Sequence, residues 1–135
     1  ALGIPEGVDP SAPMLKRAEL RGIRTREAAA EQLPYATGSL DGVLLVVTLC
    51  FLDNADKAMK EIARVLKPGG RLVVGIVPAD SAWGEFYRSK GRQGHPFYSV
   101  ARFYTCEETE HLAASAGFDL VSAASTLPRG PNADL

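Results

Sequence analysis

The chain has 135 residues, 46% of them hydrophobic and 23% charged, ordinary globular usage that suits one domain with a modest core. Fifteen Lys and Arg against sixteen Asp and Glu leave a formal charge of -1, which argues against a nucleic-acid partner. Cys50 and Cys106 lack CxxC spacing and fit a reducing compartment; with no run of roughly twenty apolar residues and no signal-peptide pattern in "ALGIPEGVDP", the expected location is the cytoplasm, with no membrane span.

Gly7, Val8 and Asp9 end a short apolar opening, and "PSAP" is turn-like. Ser11 is placed to cap a helix whose Met14, Leu15 and Ala18 share one face, closing near Arg21 and Gly22. Residues 23–27 suit a short strand. Pro34, Gly38, Ser39 and Gly42 then punctuate a loop. Residues 43–47 form a continuous apolar run rich in Val, the pattern of a strand covered on both faces.

Asp53 or Asn54 is placed to cap the next helix, in which Ala55, Ala58, Met59, Ile62, Val65 and Leu66 recur at helical spacing. Lys67 suits the negative C-terminal end of that helix, and Pro68, Gly69 and Gly70 are expected to stop it. Residues 72–77 resume a buried strand. Strand, helix and strand with short links predict a parallel crossover and the α/β class.

After Pro78 the chain is rich in aromatics: Trp83, Phe86, Tyr87, Phe97, Tyr98, Phe103 and Tyr104. A small helix over 81–89 and a folded cover over the sheet edge, spanning 78–104, are expected, because so many exposed rings would be costly. Thr105 and Glu108 make a capping box for a helix that buries Leu112, Ala113 and Ala116 and ends at Gly117. Residues 118–122 and 124–127 read as a terminal strand or hairpin. No repeat or linker divides the chain, so residues 1–135 are taken as one domain.

A ligand of a doubly wound sheet lies beyond the carboxyl ends of the strands. Asp9 is placed there to accept ribose hydroxyls, although Asp-Pro-Ser is also ordinary turn chemistry. Other chemistries lack their residues: no GxSxG elbow, no HExxH, and no Walker order, since Lys67 precedes its glycines. With His95 in a Gly- and Pro-rich loop, His111 inside a helix and the two cysteines distant in sequence, no metal site is expected.

Three segments in order, "VDPSAPMLKRA", "AAAEQLPYATGSLDGVLLVVTLCFLDN" and "EIARVLKPGGRLVV", resemble the class I S-adenosylmethionine-dependent methyltransferases, in particular the small-molecule domains of the ubiquinone and menaquinone biosynthesis type. The resemblance implies a Rossmann-like, doubly wound, mostly parallel sheet with an antiparallel C-terminal strand. It also implies S-adenosylmethionine as cofactor, held by Asp9 with Pro10 and Ser11, by Met14 near the adenine, by Ala29, Ala30 and Glu31 in the loop flanking it, and by Thr48, Leu49 and Cys50 beside the sulfonium. Ala29 stands where the family often has an acid. The family's first strand and glycine-rich loop have no counterpart ahead of Asp9, so the chain resembles the C-terminal part of such a domain, and an exposed sheet edge would offer a route to a homo-oligomer.

The implied reaction is in-line methyl transfer to a small-molecule acceptor, in which positioning and desolvation do most of the work. No catalytic residue is assigned. The substrate side is expected to draw on Asp53, Trp83, Phe86, Tyr87, His95, Phe97 and Tyr98, of which Asp53, Tyr87 and His95 are the candidates for a base. Two rivals stand beside this reading: a cofactor-free or inactive interaction module built from a truncated domain, and a nicotinamide-binding domain.

Overall fold

A computed structural model describes residues 3–126 together with 130 and 131. In chain order the elements are β1 (Glu6–Asp9), α1 (Ala12–Glu19), β2 (Arg24–Glu27), β3 (Leu40–Val46), a 3-10 turn (Leu49–Phe51), α2 (Ala55–Val65), β4 (Leu66–Gly75), α3 (Ala82–Arg92) and α4 (Cys106–Ser115). Strand β1 pairs in parallel with β2, placing Asp9 opposite Glu27. Strand β3 pairs in parallel with β4, with Leu45 opposite Val74 and Val46 opposite Gly75. Each pair is a strand-helix-strand unit, so α1 and α2 return the chain to the same end of the sheet.

Helix α2 supplies the core. Its apolar residues at helical spacing form one stripe, and Ala58, Met59, Ile62 and Val65 are buried. Met59 and Ile62 cluster with Leu45, Leu66 and Tyr104, with Val43, Leu72 and Val74 packed alongside. The helix starts where Asn54 accepts the Lys57 amide at 2.9 Å, a side-chain cap that satisfies an otherwise orphaned donor. In α4 the expected capping box is complete, with Glu108 N–H to Thr105 Oγ1 at 3.0 Å and Thr105 N–H to Glu108 Oε2 at 2.8 Å.

Four expectations need correction. The strands of the second sheet are covered on one face only: Leu44, Val46 and Val73, which alternate with the core residues, are exposed. A Val-rich run signals β structure but cannot reveal whether a second layer lies on its far side. Helix α2 ends at Val65 rather than at the glycines, because Leu66 is already extended and the residue before Pro68 is driven away from helical backbone. Lys67 therefore serves β4, where its ammonium meets Asp41 at 2.7 Å, and residues 67–70 bulge between the pairings Leu40 with Leu66 and Gly42 with Arg71. Gly69 takes the positive φ of +78° that this bulge requires.

The third correction concerns α1, whose Leu15 is buried while Met14 is about half exposed. Ser11 occupies its cap position without a side-chain cap bond. The fourth is at the C-terminus, where residues 118–126 form no strand. Phe118 alone there packs on the core, while Leu120 and Val121 are exposed; the end of the expected hairpin, Leu127, lies outside the described residues. Among the described residues no hydrogen-bonded pairing joins β1 or β2 to β3 or β4.

Beside the packing of Leu33 on the core, a polar network joins the two sheets. Arg64 of α2 forks onto Glu61 at 2.6 Å and donates to the carbonyls of Tyr35 at 3.0 Å and Leu33 at 3.3 Å. Leu33 N–H returns a bond to Glu61 at 3.0 Å. Tyr35 then donates its hydroxyl to Glu6 of β1 at 2.9 Å, beneath the Arg26 guanidinium at 4.8 Å from its ring. Burial, then the Glu6 hydrogen bond, raises the Tyr35 pKa, whereas the Arg64 hydrogen bond chiefly lowers that of Glu61.

Two outcomes are expected. Ile62→Ala, at a site with 1% exposure, costs about 2–5 kcal/mol in denaturant unfolding. The depressed Glu61 pKa contributes stability that is complete above the ordinary glutamate value of about 4.3 and is lost as pH falls through the lower folded value. Glu61→Gln accordingly removes part of the acid dependence of the melting temperature, and an unchanged acid limb would exclude that contribution.

Candidate functional site

Parallel pairing sets the carboxyl ends of β1 and β2 side by side, and likewise those of β3 and β4. Asp9 closes β1, half-buried, and accepts the Ser11 amide on Oδ1 at 2.7 Å. This Asx turn orients the carboxylate and leaves Oδ2 for a further donor. Pro10 and Met14 are exposed beside it.

The loop after β2 carries Ala29, Ala30 and Glu31. A turn from Gln32 N–H to the Ala29 carbonyl at 3.1 Å shapes it, and Glu31 Oε1 accepts the Asn54 amide at 3.0 Å. That bond brings the end of the first sheet to the start of α2, beside the segment that follows β3.

In that segment Thr48 donates its hydroxyl to the Val46 carbonyl at 3.1 Å. Leu49 is driven into the core at 1% exposure. Cys50 is half-buried, its thiol 3.7 Å from the Val47 carbonyl, and burial pushes its pKa up. The backbone of Val47 has a φ of +50°, the one positive value at a non-glycine residue among those described. An apolar crevice of about 10 Å³ lies between Val47, Cys50 and Ile76 and the Phe103 and Tyr104 rings, room for a group about the size of a water or a methyl.

The aromatic segment closes this side. Arg102 N–H donates to the Cys50 carbonyl at 2.8 Å, and Ala79 N–H to the Tyr104 carbonyl at 2.9 Å, so residues 102–104 cross the strand ends. Phe103 stacks on Tyr87 with rings 5° from parallel and 6.3 Å apart. Tyr87 also meets Tyr98 at 4.7 Å, Phe86 at 5.4 Å and Trp83 at 6.0 Å. His95 stacks on Tyr98 at 4.4 Å, and its Nδ1 accepts the Phe97 amide at 3.3 Å.

The structure thus gathers Trp83, Phe86, Tyr87, Tyr98 and His95 into one cluster, with Phe97 left exposed at its rim. Of these rings none lines the crevice; Phe103 and Tyr104 do. Both belong to the aromatic segment expected to form the cover, yet neither is an expected site residue, since nothing in their spacing shows which ring turns inward. Asp53 is exposed and borders a different cleft of about 410 Å³, shared with Asp56, Arg102, Glu108 and His111. It stands at the mouth of α2, next to the Asn54 cap.

Helix α3 is seated by close backbone approach. A Cβ at Gly84 would lie 2.0 Å from the Pro78 carbonyl oxygen, and one at Gly91 would lie 2.5 Å from that of Tyr98. Both glycines are needed for the helix to lie against these segments.

Comparison with known proteins places these features in a family. The profile of the family described as "Methyltransferase domain" matches residues 6–74, just over half of the chain. An uncharacterized protein of Mycobacterium tuberculosis is 36% identical over 96% of this chain and 46% of its own length. A demethylmenaquinone methyltransferase of Thermus thermophilus is 33% identical over 84% of this chain and 63% of its own. The crystal structure of a SAM-dependent methyltransferase from Thermotoga maritima, described as a possible histamine N-methyltransferase, superposes with a TM-score of 0.84 at 41% identity, over 88% of this chain and 56% of that one. The chain spans about half the length of the first of these relatives.

Gly84→Ala is expected to push α3 off residues 78–79, lower the melting temperature and red-shift the emission of Trp83, the single tryptophan. Ala82→Ser, at an exposed position of the same helix, is expected to leave the spectrum unchanged. Equal spectra for both variants would show that the Gly84 contact does not seat the helix.

Proposed function

The chain belongs to the class I S-adenosylmethionine-dependent methyltransferase family, and from that premise we propose that its site binds S-adenosylmethionine and directs the methyl group to a small-molecule acceptor. One observation carries the proposal. The Glu31 to Asn54 bond brings the loop after β2 to the segment after β3, so that residues suited to opposite ends of one elongated ligand border one surface.

The residues fit such a ligand chemically. Asp9 has a carboxylate oxygen left over after its bond to Ser11, and an anionic acceptor is what paired ribose hydroxyls need. Ala29 and Ala30 offer small walls and backbone amides for the adenine, with Met14 and Pro10 at its edge. Thr48, Leu49 and Cys50 lie at the methionyl end, where the crevice is apolar.

When bound, the cofactor supplies an activated methyl group. The chain's contribution is to orient and desolvate. Phe103 and Tyr104 exclude water from the crevice beside Cys50. The raised pKa of Cys50 keeps its sulfur a neutral thiol, a poor nucleophile that does not compete for the methyl group. His95 uses its Nδ1 lone pair on the Phe97 amide and so presents a proton at Nε2, which suits it to orient an acceptor rather than to deprotonate one. Residues 78–104 then act as the substrate-side cover, with Tyr87 and Tyr98 packing its interior and Trp83, Phe86 and Phe97 extending it. Asp53, in the neighbouring cleft, reaches only an acceptor long enough to extend past Tyr104.

The open face of the second sheet, with Leu44, Val46 and Val73 exposed, favours one other reading, an interaction module that binds no cofactor. Calorimetric titration of the 135-residue chain with S-adenosylhomocysteine, with NAD as control, separates them. Saturable one-to-one binding is expected, weakened about tenfold or more by Asp9→Ala, in line with the loss of a charge-assisted hydrogen bond. A folded sample that gives no heat would leave the interaction module standing.

A further inference from the structure

We propose that Val47 is a positioning residue: its strained backbone corner sets Thr48, Leu49 and Cys50 across the carboxyl ends of β3 and β4. The inference rests on the reading of that segment as the holder of the cofactor's methionyl end. At a φ of +50° the Cβ of an L-residue crowds its own backbone, and the two methyl groups of a β-branched side chain make this worse. Such a conformation persists only where the surroundings over-determine it.

Here they do. The Val47 amide donates to the Gly75 carbonyl at 2.8 Å, continuing the parallel ladder one residue past β3. The Cys50 thiol approaches the Val47 carbonyl at 3.7 Å, and the Thr48 hydroxyl takes the Val46 carbonyl at 3.1 Å. Arg102 N–H anchors the Cys50 carbonyl at 2.8 Å. Between these anchors the chain leaves the strand within one residue, sending Leu49 into the core while Thr48 and Phe51 stay at the surface.

The fold by itself requires only the corner, and glycine or asparagine would make it with less crowding. What valine adds over either is bulk: its isopropyl group lines the crevice together with Phe103. A locally unfavourable residue kept at the mouth of a site is the pattern expected where geometry serves binding rather than stability. The anchored corner at Val47 fixes the direction of the Thr48 and Leu49 backbone groups before any ligand arrives, which lowers the ordering cost of binding, and the valine side chain holds the crevice wall beside them.

The test compares Val47→Asn and Val47→Gly with the parent 135-residue chain by thermal melting and by titration with S-adenosylhomocysteine. Val47→Asn is expected to melt no lower than the parent, since asparagine tolerates the left-handed backbone, and Val47→Gly to melt within about 3 °C of it. Both are expected to bind about tenfold more weakly. A residue with a structural role alone would move the melting temperature and leave affinity in place. Affinities within twofold of the parent overturn the proposal, and so does a fall of more than about 5 °C for Val47→Asn, which would mean that the corner is not strained. A folded parent that binds no S-adenosylhomocysteine removes the functional reading and this inference with it, whereas a binding parent with equally binding variants removes this inference alone.

Discussion

Two small parallel sheets meet at a junction centred on the guanidinium of Arg64. A sheet of two strands has little stability of its own, and among the described residues no ladder of hydrogen bonds joins β1 and β2 to β3 and β4. The connection runs instead from Glu61 and Arg64 on α2, through the carbonyls of Leu33 and Tyr35, to the Tyr35 hydroxyl and Glu6. Arginine suits this junction because its planar fork can serve a carboxylate and two carbonyls at once. The proposed site relies on this junction, which lays residues 33–37 along α2 and so sets the loop after β2 beside Asn54.

The energetic division between the two halves is uneven. The second unit has a packed interior in which Met59, Ile62 and Val65 are nearly inaccessible. The first has Leu15 as its one buried side chain among the described residues. Its stability must come largely from the junction, since exposed pairs such as Arg24 with Glu6 contribute little in water. Asp9 stands on this weaker half, while Val47, Cys50 and Phe103 stand on the stronger one. Ligand that spans both would stabilise the first unit by mass action, which couples binding to the order of β1.

Much of this was legible in the residues. The helical stripe from Ala55 to Val65 and the capping box at Thr105 follow from spacing alone, and both formed as expected. The three ordered segments carry the resemblance to the methyltransferase family in their residues alone. The failures share a cause. The length of α2, the bulge at residues 67–70, the open face at Leu44 and Val73, and the unpaired residues 118–126 all depend on what lies across from a segment, and a one-dimensional pattern does not carry its neighbours. The site divided in the same way: Asp9 and the segment 48–50 could be proposed by position, whereas the choice of Phe103 over Phe97 could not.

The sequence by itself determined the order of strands and helices as far as the last helix, the parallel class and the family, because hydrophobic period, turn chemistry and capping are local properties that survive in the linear chain. Tertiary structure decided which rings close the crevice, which arginine joins the sheets, and that a valine rather than a glycine turns the corner after β3. Those outcomes are set by contacts between residues distant in sequence, such as Gly75 with Val47 and Arg102 with Cys50, and such contacts exist only once the chain has folded.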